Sequence, residues 1–173
     1  MNIKDYIASV PDFPKKGIIF RDITPLLQNG DAFNTVIEIL ASNAKMQGAT
    51  VIAGPEARGF IFGAPVAAKL GLGFVAIRKP GKLPREQICQ DYELEYGKNT
   101  LCIHTDAIKR GDKVFIIDDL LATGGTAHAA CKLIEKAGGK VAGLGFVIDL
   151  IDLNGKKLLK DYNVITLAEY EGE

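Results

Sequence analysis

The sequence carries no excess of charge in either direction, since its 21 basic and 21 acidic residues cancel. A chain without a net positive field lacks the electrostatic footprint that nucleic acids and anionic membrane surfaces require, so neither is expected as a partner. No stretch approaches the roughly 18 consecutive apolar residues of a membrane span. The opening MNIKDYIASV is broken by Lys4 and Asp5 and is no signal peptide. Of its three cysteines, Cys89, Cys102 and Cys131, none forms a CxxC pair. An odd number without an export signal implies reduced thiols in a soluble cytoplasmic protein rather than a disulfide framework. Repeats at solenoid period and low-complexity tracts are missing too. Neither a GK[ST] after a glycine loop nor a GxGxxG after a strand occurs, which excludes a Walker loop and the dinucleotide fingerprint.

What is present is a chain of 173 residues, 47% hydrophobic, which suits one domain over 1–173. Runs rich in β-branched residues at 50–53, 74–77, 114–117 and 141–148 read as buried parallel strands. Segments 31–45, 59–70 and 125–137 carry apolar residues at three- and four-residue spacing, as helices packed on a sheet do. Strand then helix, repeated, predicts an α/β fold with a mostly parallel twisted sheet flanked by helices. Two stretches fall outside this alternation, 9–29 with three prolines and 79–99 with two prolines, two glycines and dense charge. Both read as loops or extensions, and a loop that long in a compact domain is usually a lid or a binding element.

The sharpest signal is VFIIDDLLATGGT at 114–126. An apolar strand ends in two carboxylates, and a Thr-Gly-Gly-Thr turn opens a helix. Ligands of open α/β sheets bind at that edge. Without side chains, Gly124 and Gly125 let backbone N–H groups converge on an anion, and the helix start adds its positive dipole end. With Ala122 and the hydroxyls of Thr123 and Thr126 they form a monophosphate cradle. Asp118 and Asp119 suit vicinal hydroxyls or a metal held through water. A phosphate beside a diol is a ribose 5-phosphate. A helix cap with two solvated acids would explain DD or TGGT alone, but not the thirteen residues in this order.

This segment resembles the phosphoribosyl diphosphate signature of the type I phosphoribosyltransferases. FPKKGIIFRDITPLL, GPEARGFIFGAPVA, RKPGKLP and LEYG resemble, in order and spacing, the adenine-specific branch of that family, and the likeness covers nearly the whole chain. It implies the type I fold with an N-terminal hood over 1–30, a flexible catalytic loop over 79–99, and transfer of ribose 5-phosphate from phosphoribosyl diphosphate to adenine, with Mg2+ carried mainly on the diphosphate and lying near Asp118 and Asp119.

The same resemblance assigns a first pyrophosphate loop to Glu56, Ala57 and Arg58, with a strained or cis peptide near Ala57. Further pyrophosphate cations are Arg78, Lys79 and Lys82. Glu95 is the general base for the purine, beside Tyr96. Ile19, Phe20, Arg21 and Leu150 form the adenine pocket, and a homodimer is expected. Pro80 replaces a cation of some relatives, and Glu56 stands where Asp is more usual. His128 and Cys131, three apart on a helix, read as packing, since two ligands make no metal site. Two other readings stay open at this point: a different purine base, or a regulatory module that binds phosphoribosyl diphosphate without reacting. The second lacks room for a DNA-binding domain.

Overall fold

The computed structural model describes residues 1–94 and 96–172. After a short 3-10 turn at Ile3–Tyr6, the chain forms β1 (Ala8–Pro11), β2 (Ile19–Asp22), α1 (Thr24–Gln28) and α2 (Gly30–Met46). Then come β3 (Val51–Pro55), α3 (Arg58–Leu70), β4 (Gly73–Ile77), β5 (Gln87–Leu94) and β6 (Gly97–His104). The chain closes with β7 (Lys113–Leu121), α4 (Gly125–Lys136), β8 (Lys140–Leu150), α5 (Gly155–Leu158) and β9 (Val164–Tyr170).

Strands β4, β3, β7, β8 and β9, in that order, make one five-stranded sheet in which every neighbouring pair is parallel. Alternate side chains of a strand leave by opposite faces, and here both faces are covered. Ile52, Phe115 and Ile117 pack beneath α2 and α3, against Leu40, Phe62 and Val66. Ala53, Val114 and Ile116 pack on the other side against Ala130, Leu133 and Ile134 of α4. That two-sided burial is why these strands read as continuous apolar runs. From β3 the chain steps to β4 on one side, then returns to β7 on the other. The loops leaving β3 and β7 therefore diverge at a topological switch point, where an open sheet has its crevice. Turns entering β3, β7 and β8, at Gly48, Gly111 and Gly138, lie on the opposite rim.

Both stretches read as loops contain structure. Segment 9–29 holds the β1–β2 hairpin and α1, and 79–99 holds most of an antiparallel hairpin, β5–β6. The second eluded the pattern because β5 is charged and mostly exposed or half-buried, without a continuous apolar face. Strand β9 also escaped, being an edge strand whose side chains are mostly half-buried.

The expectation of three free thiols is corrected. Cys89 and Cys102 face each other across β5–β6 and form a disulfide, with a Cα–Cα distance of 4.1 Å. Both backbone groups of Cys102 bond outward to Arg78, so the cysteines occupy a non-hydrogen-bonded pair, where side chains stand closest. They stand thirteen positions apart in the chain, and only strand register brings them together. Cys131 is the free and buried one, which agrees with packing.

Candidate active site

Strand β7 runs two residues beyond the paired acids, so Asp118 and Asp119 lie within it rather than at its end. Asp119 is 5% exposed, and its carboxylate Oδ2 lies 2.8 Å from Arg58 Nε. Asp118 Oδ1 accepts the N–H of Asp119 at 2.8 Å. Burial, and then the charge of Asp119, push the Asp118 carboxyl well above the usual carboxylate range.

Beyond β7, residues Ala122 to Thr126 line a cavity of about 150 Å³ together with Asp118 and Phe146. Gly124 takes φ +88°, a conformation glycine adopts freely, and among the described residues no side chain caps α4 at this position. The first N–H groups of α4 thus face the cavity side of the turn without a capping oxygen, a ready anion site. Thr126 Oγ1 shares a hydrogen bond with Tyr92 OH at 3.1 Å, which seats β5 on this turn.

Across the switch point, the Glu56–Ala57 peptide is cis, in accord with the family expectation. Arg58 opens α3, half-exposed, and stands 5.7 Å from the ring centroid of Phe20 as well as against Asp119. Glu56 is turned toward the loop after β4. Its Oε1 accepts the N–H of Lys79 at 2.8 Å and lies 3.3 Å from Arg78 Nε. The Lys79 hydrogen bond, and then the Arg78 charge, outweigh burial and hold this carboxyl below its ordinary pKa. Arg78 Nη1 also donates to the carbonyl of Lys82 at 3.2 Å. Glu56 thus orients Arg78 and the start of the 79–86 loop, and Lys79 and Lys82 are exposed there.

The expected base-pocket residues divide between the two faces of β2, as strand alternation requires. Phe20 packs edge-on against Phe13 and, with Ile23, Leu27, Ile61 and Arg58, lines an apolar cavity of about 510 Å³. Arg21 turns the other way, its guanidinium 4.3 Å from the ring centroid of Tyr170. Tyr170 is the register partner of Leu150, so Arg21 stacks on the strand neighbour of Leu150. Both Arg21 Nε and Tyr170 OH are buried with no hydrogen-bond partner among the described residues. Ile19, half-buried, shares the Arg21 face. Tyr96 stands in the β5–β6 turn, 90% exposed. Glu95 lies outside the described residues. Sequence reasoning missed Tyr92, which sits in a charged stretch with nothing to single it out.

A model of the phosphoribosyl transferase domain matches residues 24–171. The chain belongs to the phosphoribosyltransferase family. An adenine phosphoribosyltransferase of Shewanella woodyi is 56% identical over 173 residues, covering 99% of this chain and 96% of the other. The crystal structure of adenine phosphoribosyltransferase from Thermoanaerobacter pseudethanolicus is similar at a TM-score of 0.93 and 53% identity, covering 97% of this chain and 98% of that one. The Saccharomyces cerevisiae enzyme, complexed with an imino-altritol bisphosphate and adenine, matches at 0.90 and 38% identity, covering 95% and 96%. Among the described residues no helix is long and apolar enough to cross a membrane.

Proposed function

We infer that this chain is an adenine phosphoribosyltransferase of purine salvage, which transfers ribose 5-phosphate from phosphoribosyl diphosphate to adenine and releases pyrophosphate. The observation that carries this reading is the switch-point cluster: a backbone cradle at 122–126 at the start of a helix uncapped among the described residues, two carboxylates before it, and Arg58 reaching across from the neighbouring loop. Close relatives named for the adenine reaction favour it over another purine base or a regulatory module.

In this reading Ala122, Thr123, Gly124, Gly125 and Thr126 hold the 5-phosphate, and Asp118 and Asp119 receive the ribose hydroxyls. As the bond from the anomeric carbon to the diphosphate breaks, negative charge builds on the leaving group. Preorganised cations stabilise that charge most effectively where water is excluded. Arg58, Arg78, Lys79 and Lys82 are the cations at hand, with Glu56 aiming Arg78. Adenine lies between the hood, at Ile19, Phe20 and Arg21, and Leu150 on the other side. The nucleophilic nitrogen forms the new bond to the anomeric carbon, and its imidazole-edge proton passes to the Glu95 carboxylate, with Tyr96 beside it.

We propose Mg2+ as the cofactor. Among the described residues, no three His, Cys, Asp or Glu gather into a metal cluster. Two adjacent carboxylates suit a hard cation that keeps its waters and rides on a diphosphate, with Asp118 and Asp119 close by. Bound there, the cation would neutralise charge on the departing diphosphate. A cytoplasmic homodimer completes the proposal. Phe13, 51% exposed on the β1–β2 hairpin, and the apolar cavity beside it favour a partner copy.

Mixing the protein with labelled adenine, phosphoribosyl diphosphate and magnesium tests the reading through the appearance of AMP. Glu95→Gln should lower turnover by roughly 10²-fold or more while both substrates still bind, and an unchanged rate would remove the role of Glu95.

A further inference from the structure

A buried charge outside the proposed chemistry lies behind the phosphate cradle. Asp149, near the C-terminal end of β8, is 1% exposed. It is in register with Leu121 of β7 on one side and Glu169 of β9 on the other. A carboxylate taken out of water needs a partner. Lys156 Nζ stands 2.9 Å from its Oδ2, an ion pair not aligned as a hydrogen bond. The same ammonium donates to Thr166 Oγ1 at 3.0 Å and Glu169 Oε1 at 2.9 Å. Burial alone would lower the pKa of Lys156, but its contacts with Asp149 and Glu169 outweigh it and raise the value. One lysine therefore ties the ends of β8 and β9 together in its charged form.

What this clamp holds is the residue before it. Asn154 takes φ +55°, and Gly155 is buried at the start of α5. A Cβ on Gly155 would stand 2.5 Å from the carbonyl oxygen of Ala122 and 2.9 Å from Leu121 Cδ1. Reciprocally, a Cβ on Gly124 would stand 2.7 Å from the carbonyl oxygen of Gly155. Two bare backbones thus press together, one of them the cradle. Helix α5 has four residues, too few to be stable by itself, so its position comes from its anchors. Those anchors are Leu159, fully buried, and the Lys156 contacts.

We propose that Asp149 and Lys156 are positioning residues for the phosphate cradle, acting through Gly155, which backs Ala122 and Gly124. The inference rests on the reading that 122–126 takes the 5-phosphate. Anion affinity depends on donors being fixed in place before binding, and a cradle without its backing must be ordered by the ligand. Loss of the clamp therefore weakens the sugar phosphate more than the base, whose wall Leu150 also lies at this end of β8.

The test is calorimetric titration with ribose 5-phosphate, together with KM values for phosphoribosyl diphosphate and for adenine, on wild type, Lys156→Ala, Lys156→Gln and Lys156→Arg. Lys156→Ala should weaken ribose 5-phosphate and raise KM for phosphoribosyl diphosphate by roughly tenfold, with a clearly smaller change in KM for adenine. Lys156→Arg should restore most of the loss. Lys156→Gln keeps the stem without the charge, should follow Lys156→Ala, and stands in for it if the alanine variant does not fold. A folded variant with wild-type affinity for ribose 5-phosphate, or one in which adenine weakens equally, overturns the inference. Wild-type protein that does not bind ribose 5-phosphate overturns the reading of the cradle itself, and the wild-type titration alone reveals that case.

Discussion

Arg58 Nε lies 2.8 Å from Asp119 Oδ2, joining the loop after β3 to the strand that leads into the phosphate cradle. The guanidinium is half exposed and the carboxylate almost wholly buried, so removing Arg58 leaves an unpaired acid beside Asp118. After allowing for solvent screening of the exposed partner, Arg58→Ala should cost about 1 kcal/mol, a fall of roughly 2–4 °C in Tm. Turnover should fall much further, by about 10²-fold, if Arg58 meets charge on the leaving group. Thermal melts and an AMP-forming assay separate the two effects. Arg58→Lys, which lacks the planar fork, should keep more stability than activity.

Glu56 gives a pH signature. Its carboxyl is held below the ordinary glutamate value of 4.5, first by the Lys79 N–H and then by Arg78. With a lowered folded pKa, the unfolded chain takes up the proton first as pH falls. The stabilisation is therefore complete above the ordinary value and lost as pH drops through the lowered one. Glu56→Gln should narrow its Tm gap to wild type as melts are taken from neutral into acid pH. A gap constant with pH would show that the charge of Glu56 contributes nothing.

Gly124 cannot accept a side chain. At φ +88°, and with the Gly155 oxygen 2.7 Å from an added Cβ, Gly124→Ala must move the cradle or the turn behind it. Destabilisation above about 1 kcal/mol is expected, with loss of ribose 5-phosphate binding measured by calorimetry. Retained affinity would mean that the cradle does not need this backbone.

The thiols can be counted. Burial, and then the charge of Glu135, push Cys131 up to about 12, so it should not react with a thiol reagent at mildly alkaline pH while the protein is folded. Unfolding without reductant should release one thiol, and unfolding after reduction all three cysteines of the sequence. Three thiols without reductant would mean that Cys89 and Cys102 are open in solution.

Signals that are local in the chain were legible in the sequence. The apolar runs of β3, β4, β7 and β8 announced a doubly covered sheet because burial on both faces removes polar alternation. The order of strand, two acids and glycine turn at 114–126 announced the cradle because each part lies within one turn of the next. Features that depend on register or distant pairing were not legible. Cys89 meets Cys102 only through the hairpin, and Glu56 meets Arg78 from 22 residues away. The division of Phe20 and Arg21 between two faces follows from strand geometry once β2 is recognised, yet that stretch of prolines and mixed residues read as a loop. Asp149 sat within an apolar run, where only the buried strand makes its carboxylate conspicuous.

The parallel sheet sends the loops that leave β3 and β7 to one rim and leaves the turns at Gly48, Gly111 and Gly138 on the other. Half of the perimeter is thus uncommitted to chemistry. A dye, an affinity handle or a surface tether grafted at that far edge can report on or immobilise the molecule while its working mouth stays open.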